Sequence, residues 1–529
     1  MSGAPAQAQA PEWQAIPEPT LAIWIGFIAM IFGNFMALLD VQIVASAIGD
    51  IQNGVGASRD EVSWVQTSYL IAEVIGIPLS GFLSRALGIR ILFTWSAIGF
   101  ALASLACALS WDMTSLITFR VIQGFISGGM VPTVMSALYL IFPQRLQAPA
   151  GAMIGLVMTL APSIGPTLGG YISEHLGWRA LFYINIIPGF LIAFLVWRNM
   201  KLGGFNADMF RRIDFLGLVG LAAMLGAAQY VLEEGTGESW FQSGEIVFWT
   251  CVSASGALLF FWRTLGNDHP IVDLRPFKVP TFAIGCALGF VVGASLYGPV
   301  FLQPLFMAEV RGYNPEQIGH SMFAQGATMF VMAPIMGYVG RAIPDLRPIG
   351  FIGFLLIATS CWMQAHLTRD SAFWEFLYPQ VLRGAGMMIC FMSIMQPTIQ
   401  SLPLNLIQSG TPLFNLCRNL GGAFGLAALS TVQARSYLMH RHELFIAADP
   451  NNARVRQMIE GAAQNAPPGA DPDRLGQVFY AHILEREALV MAFNDGFLML
   501  AVALACASFA IFALKRAAPP APGTIEPAH

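Results

Sequence analysis

Five charged residues stand inside strongly apolar stretches of the sequence: Asp40, Glu73, Arg120, Arg383 and Arg418. A charge in an apolar environment is costly unless it is paired or hydrated, so such residues often mark an ion or substrate pathway. A buried carboxylate can exchange a proton, and a nearby cation biases its protonation. We therefore expect Asp40, Glu73 and Arg120 to couple proton movement, with Asp40 as the proton carrier.

Each of these residues also has a structural interpretation. Asp40 and Arg120 could form a permanent pair, and Glu73 could bind a cationic substrate or hydrogen-bond to a neighbouring helix. Arg383 and Arg418 are interpreted as structural, bonded to helix carbonyls or reaching toward an interface. At 1.5 Å per residue, Asp40 and Glu73 lie about 12 and about 16 Å from the outer ends of their helices. They could therefore face one central cavity.

The elements that carry these residues are predicted from composition. The chain has 529 residues, of which 56% are hydrophobic and 11% are charged, against roughly a quarter charged in soluble domains. This excludes an ordinary soluble enzyme, and the seven cysteines, odd in number and all in apolar runs, argue against a disulfide framework. At roughly 20 apolar residues per crossing, we predict an all-α membrane protein with fourteen spans: 21–48, 62–83, 90–110, 114–140, 149–171, 180–198, 213–233, 245–265, 282–307, 319–341, 348–367, 374–401, 409–434 and 489–514.

Basic residues predict the orientation of the chain. With a cytoplasmic N-terminus, the inner segments hold 14 Lys and Arg residues and the short outer loops hold four. Basic residues favour the cytoplasmic side, so we expect an inner-membrane protein with both termini in the cytoplasm. The connection 233–245, predicted to lie outside, holds four glutamates and no basic residue.

An internal repeat divides the chain. The turn after span 2 recurs loosely after span 10, and Arg120 recurs as Arg383, each followed by glycines. Parallel six-helix repeats of this kind form a solute site between the halves near the bilayer midplane. The predicted organisation is a cytoplasmic tail (1–20), a six-helix half (21–198), a linker with two inserted helices (199–281), a second six-helix half (282–514) with an outer loop (435–488), and a cytoplasmic tail (515–529).

Several motifs carry a family resemblance. They are Leu39-Asp40-Val-Gln-Ile43-Val44, Arg120-Val-Ile-Gln123-Gly124, Ala161-Pro162-Ser-Ile-Gly165-Pro166-Thr-Leu-Gly169-Gly170, Asn185-Ile-Ile-Pro188-Gly189, Phe414-Asn415-Leu-Cys-Arg418 and Ala492-Phe493-Asn494-Asp495. Together they resemble the major facilitator superfamily, and its fourteen-span drug:proton antiporter branch (the EmrB/QacA type) in particular. The resemblance implies the major facilitator fold and a coupling role for Arg120. Gln42 and Ser84 depart from the pattern; many members have Asp at the position of Ser84.

Two further groups of residues are predicted to act in gating and in substrate binding. Glycines four apart allow close helix packing and prolines bend helices; the predicted gating and packing residues are Gly81, Arg85, Gly88, Arg90, Gln123, Gly124, Pro162, Gly165, Pro166, Gly169 and Gly170. Polar residues within apolar spans could line the substrate cavity, or could only join helices; these are Gln66, Tyr69, Gln303, Gln325, Gln396 and Gln400.

The hypothesis is a proton-coupled secondary transporter that moves amphiphilic organic compounds by alternating access, most simply multidrug efflux. One alternative is an importer of a planar nutrient such as riboflavin on the same fold, and another is a channel or sensor. No phosphate loop, nucleophile elbow or metal-ligand spacing is visible, so no enzyme activity, cofactor, metal or nucleic-acid partner is expected. The outer loop 435–488, polar with one short helix near 453–463, is expected to dock a periplasmic adaptor protein, as the resemblance also implies.

Overall fold

The computed structural model describes residues 18–201, 203–204, 206, 214–267, 270–343, 345–447, 455–457 and 472–514. Within these ranges all regular structure is helical, as the composition predicts. The α-helices are α1 (Leu21–Ser46), α2 (Ile48–Val55), α3 (Arg59–Leu87), α4 (Ile89–Ala108), α5 (Met113–Ser127), α6 (Met130–Ile141), α7 (Gln144–Leu176), α8 (Ala180–Tyr183), α9 (Ile186–Asn199), α10 (Phe215–Glu234), α11 (Gly244–Gly266), α12 (Pro280–Glu309), α13 (Pro315–Ala342), α14 (Arg347–Gln364), α15 (Phe373–Gln400), α16 (Leu404–Ala447) and α17 (Pro472–Ala510).

Local sequence signals set several helix ends. At the start of α3, the Ser58 hydroxyl accepts a hydrogen bond from the Glu61 amide, and the Glu61 carboxylate accepts one from the Ser58 amide. This reciprocal capping satisfies two amide groups that the first turn leaves free. The helix ends at Gly88, whose φ of 81° is accessible to glycine at little cost.

Every predicted span coincides with helix. Spans 114–140 and 180–198 each consist of two helices in line, α5 with α6 and α8 with α9. By length and composition, ten of the described helical segments could cross a membrane, or eleven if the bent α7 is counted as one span. The protein is therefore a multi-pass membrane protein, and the number fourteen stays a prediction.

The helices pack as two bundles with an inserted pair. In the first bundle α1 packs on α7, α3 on α5 and α4 on α9; in the second, α12 packs on α16 and α14 on α15 and α17. Helices α10 and α11 pack on each other, and α10 also contacts α3 and α16. The two bundles meet mainly through α7 with α13 and α3 with α16.

The predicted outer loop 435–488 is shorter than expected. Helix α16 continues to Ala447 and α17 already begins at Pro472, so much of the segment is helical. Polar side chains join these extensions: His440 Nε2 lies 2.8 Å from Asp495 Oδ2, and Arg441 pairs with Glu485 at 3.3 Å. Most of the short helix predicted near 453–463 lies outside the described residues, as do the tail 515–529 and most of the tail 1–20.

Helix α7 bends where the prolines predict it. Its segments Gln144–Pro162 and Ile164–Leu176 are inclined by 46°, because proline removes a backbone hydrogen bond and its ring clashes with the preceding turn. Pro166 and Gly170 follow in the second segment. The bend brings Pro162 to the wall of the cavity between the bundles.

Candidate substrate and proton site

A buried ion pair between Asp40 and Arg120 joins α1 and α5 inside the first bundle. Arg120 Nη1 donates to Asp40 Oδ2 at 2.6 Å, and both side chains are fully buried. Gln123 and Asn185 donate to the other carboxylate oxygen at 3.1 and 2.7 Å. Arg120 also donates from Nε to the Val65 carbonyl at 3.0 Å. This network satisfies the charged carboxylate, so Asp40 is buried as one member of a hydrogen-bonded pair.

Close helix packing holds this pair in place. A Cβ on Gly124 would lie 2.3 Å from the Tyr69 carbonyl oxygen, so only glycine allows α5 to approach α3 this closely. The Tyr69 ring then lies under Arg120, 4.2 Å from its Cζ. The predicted packing glycines of α7 act likewise, since a Cβ on Gly165 or Gly169 would overlap side chains of α1.

The second bundle contains a neutral copy of this network. Gln303 follows Asp40 by 263 residues, the same interval that separates Arg383 from Arg120. Arg383 Nη2 donates to Gln303 Oε1 at 3.4 Å and to Gln325 Oε1 at 2.7 Å, and Arg383 also bonds to Gln380. No carboxylate pairs with Arg383 among the described residues. Glutamine therefore replaces aspartate in the second half of the repeat.

A cavity lies between the bundles and the first inserted helix. Glu73 and Gln66 of α3, Glu233 and Gln229 of α10, and Tyr297 of α12 contribute polar atoms to its wall. Two further polar residues, Gln42 and Asn419, also line it, and the remaining wall residues are apolar: Leu38, Val41, Leu70, Val74, Pro162, Gly422, Ala423 and Leu426. Its volume is about 110 Å³, whereas sites for drug-sized ligands measure roughly 300–1,000 Å³. The cavity must widen to admit such a ligand.

Glu73 differs from Asp40 in having no hydrogen-bond donor among the described residues. Its side chain is only 8% exposed, it lines the cavity, and no described residue donates a hydrogen bond to its carboxylate. Arg418 of α16, in the other bundle, lies close enough for electrostatic interaction with it. Arg418 itself donates to Met158 Sδ at 3.2 Å and to Asn419 at 3.3 Å.

The bundles are tightly joined at the end predicted to face the cytoplasm. Arg85 Nη1 donates to Ser409 Oγ of α16 at 2.6 Å, and a Cβ on Gly81 would lie 2.9 Å from the Gln408 carbonyl oxygen. Gln400 donates to Gln147 at 2.9 Å, also across the two bundles. These contacts close that end of the interface below the cavity.

The segment between α11 and α12 adds a carboxylate, Asp273, to the contacts at this end. Asp273, 4% exposed, lies 3.5 Å from Arg85 and 2.6 Å from Arg275. Burial alone would raise the pKa of Asp273, but hydrogen bonds from Arg275 and the charges of Arg275 and Arg85 outweigh it and hold the pKa below its ordinary value. The carboxylate that Ser84 cannot provide thus comes from the segment before α12.

The residues predicted from sequence fall into separate places. Of the six predicted cavity residues, Gln66 lines the cavity, Tyr69 lies under Arg120, and Gln303 and Gln325 surround Arg383. Gln400 joins the bundles and Gln396 lies against Gly340. Gly88 packs on Gly203, and Arg90 lies over the Trp197 ring at 4.1 Å.

Asn185, Glu233 and Asp273 are among the contributors to these sites that are absent from the predicted set. Asn185 belongs to a motif that carries the family resemblance, and Glu233 to the acidic connection after α10, so both had a sequence signal. Asp273 lies beside Arg275 in a short polar linker, where nothing in the pattern points to the distant Arg85.

Comparison with known proteins identifies the family. The Major Facilitator Superfamily model matches residues 30–426. The chain belongs to the major facilitator superfamily. It is 38% identical over 510 residues to the colistin resistance protein EmrB of Acinetobacter baumannii, covering 96% of this chain and 98% of that one. It is 32% identical over 432 residues to the multidrug export protein EmrB of Escherichia coli K12, covering 82% and 84%.

A solved structure shows the same fold at low sequence identity. The superfamily's proton:xylose symporter XylE aligns with a TM-score of 0.56 at 12% identity, over 91% of this chain and 94% of that one. The predicted major facilitator fold is therefore confirmed. That the two bundles are six-helix halves, with α10 and α11 as a pair inserted between them, stays a prediction.

Proposed function

We propose that the protein is a proton-coupled exporter of amphiphilic organic compounds in the cell inner membrane, with both termini in the cytoplasm. The observation that carries this proposal is the cavity between the halves, with an unpartnered buried carboxylate, Glu73, on its wall. The names of two similar proteins, multidrug export protein and colistin resistance protein, support the direction of transport.

Glu73 exchanges the coupling proton in the state that the structure represents. It borders the cavity and accepts no hydrogen bond from any residue that the structure describes, so a proton or a bound cation is the close partner it lacks. Loss of the proton makes Glu73 attract Arg418 across the interface between the halves. A ligand or proton that changes this attraction favours one state over the other, which is what coupling requires.

Asp40 and Arg120 act in the other part of the cycle. Their 2.6 Å pair is fully buried and neither residue lines the cavity, so Asp40 can exchange a proton only after the halves rearrange. Gln123 and Asn185 hold the carboxylate in its paired position. Asp40 remains the second proton-coupling residue of the proposal, with Arg120 as its counter-ion.

The helical extensions of α16 and α17 form the docking surface for a periplasmic adaptor protein. They present exposed apolar side chains, among them Leu438, Ile446 and Val478, each at least 60% exposed. Serine substitutions at these positions should abolish co-purification with the adaptor but leave dye transport in vesicles intact. Unchanged co-purification would refute the docking surface.

Dye flux in whole cells tests the transport proposal. Cells that express the protein should lose lipophilic cationic dyes faster than cells with an empty vector, and a protonophore should abolish the difference. Glu73→Gln should abolish it as well. Accumulation of riboflavin without dye loss would instead show an importer, and flux that is insensitive to the protonophore would refute proton coupling.

A further inference from the structure

The inserted helix α10 contributes directly to the cavity wall. Glu233 and Gln229 lie one helical turn apart and both line the cavity, and Gln229 Nε2 donates to Glu233 Oε1 at 2.9 Å. The helix packs on α3 of one half and on α16 of the other. A residue of the inserted pair thus faces the same space as Glu73.

The charges on this wall are unbalanced. Glu73 and Glu233 are its two ionisable carboxylates, and none of the wall residues is basic. Arg418, which is not a wall residue, interacts electrostatically with Glu73, as does Arg120, which is already paired with Asp40. The hydrogen bonds of Arg418 go to Met158 and Asn419. No basic residue among the described residues pairs with Glu233, so its charge is an excess negative charge on the wall, which a bound cation would neutralise.

The unpartnered carboxylate distinguishes this site from a chance acidic cluster. Glu73 is more than nine-tenths buried and borders the cavity, yet no described residue donates a hydrogen bond to it. A buried polar group without a partner is costly, so the cavity side of Glu73 is a position for a ligand that carries positive charge. The Tyr297 ring and the aliphatic wall suit the apolar body of the same ligand.

We propose that Glu233 of the inserted helix α10, together with Glu73, binds the positively charged group of a cationic amphiphile. The inserted pair of helices is then part of the substrate site and selects cations over anions. This rests on the proposed transport function for its role in the cell, but the binding itself does not depend on transport.

Two probes of matched shape and opposite charge test the proposal. Tetraphenylphosphonium and tetraphenylborate differ in charge at nearly constant size, so the ratio of their affinities reports electrostatic selection alone. Binding of each is measured by titration of the purified full-length protein in detergent. Glu233→Gln should weaken tetraphenylphosphonium binding at least about tenfold relative to tetraphenylborate.

The control is Glu238→Gln, which removes the same charge from an exposed position in the connection after α10. This variant should keep the wild-type ratio of affinities. An unchanged ratio in Glu233→Gln, equal weakening of both probes, or equal effects of the two variants would each overturn the subsite. Failure of proton-dependent dye efflux in cells would refute the transport function separately, because the titration requires no gradient.

Discussion

Asp40 and Arg120, 80 residues apart, meet in a fully buried ion pair of 2.6 Å. Two neutral side chains, from Gln123 and Asn185, donate hydrogen bonds to the other oxygen of the carboxylate. Because neither charge reaches water, the pair is stable only while both members are present.

Removal of one member of this pair should destabilise the protein strongly. Arg120→Gln leaves Asp40 buried without its counter-ion, and breaking a buried pair in this way costs about 3–5 kcal/mol. Thermal unfolding in detergent should therefore show a large fall in melting temperature. The double variant Asp40→Asn/Arg120→Gln, which leaves no charge unpaired, should recover part of the loss. A single variant as stable as the wild type would contradict the pairing.

Glu73→Gln should separate transport from folding. Glu73 has no hydrogen-bond partner among the described residues, so the isosteric amide should leave the melting temperature within a few degrees of wild type. Uptake of a cationic dye into inverted vesicles under an imposed proton gradient should nevertheless be lost. The matched variant Glu238→Gln should transport normally. Retained proton-driven uptake in Glu73→Gln would exclude this residue as a proton carrier.

The helices could be predicted from sequence because a chain in lipid must satisfy its backbone hydrogen bonds internally. Apolar runs bounded by charge, proline and glycine therefore marked the helices to within a few residues. The extensions of α16 and α17 escaped prediction for the same reason. Outside the membrane a helix needs no apolar run, and segment 435–488 contains several charged residues.

The sequence predicts how deep along its helix each site residue lies, but not toward which neighbour its side chain points. Helical rise predicts that Asp40 and Glu73 lie at similar depth, but depth does not say which way a side chain points, and of the two only Glu73 lines the cavity. In a helix that is apolar on all sides, no periodicity marks the face toward the cavity. Glu73 faces the cavity while Gln303 and Gln325 face Arg383, a difference that only the packing decides.

The stability contributed by Asp273, which contacts Arg85 and Arg275 at the predicted inner end, should decrease at low pH. Asp273 has a pKa below its ordinary value because hydrogen bonds and the charges of Arg275 and Arg85 outweigh its burial. A carboxyl with a lowered pKa contributes stability above its ordinary pKa of about 3.9 and loses it as the pH falls through the folded value. The melting-temperature difference between wild type and Asp273→Asn should be constant from about pH 5 to 8 and shrink below about pH 4.

Asp370→Asn provides the control for this titration, because Asp370 is an exposed aspartate whose surface ion pair contributes little. Its melting temperature should follow the wild type at every pH. If the melting-temperature difference between wild type and Asp273→Asn grew on acidification, its sign would be wrong. That result would exclude a stabilising ion pair of Asp273 with Arg275 and Arg85.

Gln303→Glu should restore in the second half the ion pair that the first half retains. The glutamine oxygen already accepts from Arg383 at 3.4 Å, and a carboxylate of the same size would place a negative charge beside a guanidinium that is fully buried and bonded to neutral oxygens. Charge-assisted hydrogen bonds are roughly twice as strong as neutral ones, so the melting temperature should rise. Gln303→Met, which keeps the volume but removes the acceptor, should lower it. If Gln303→Glu were the less stable of the two variants, Arg383 would not require a counter-charge, and the neutral copy would be the preferred state of the second half.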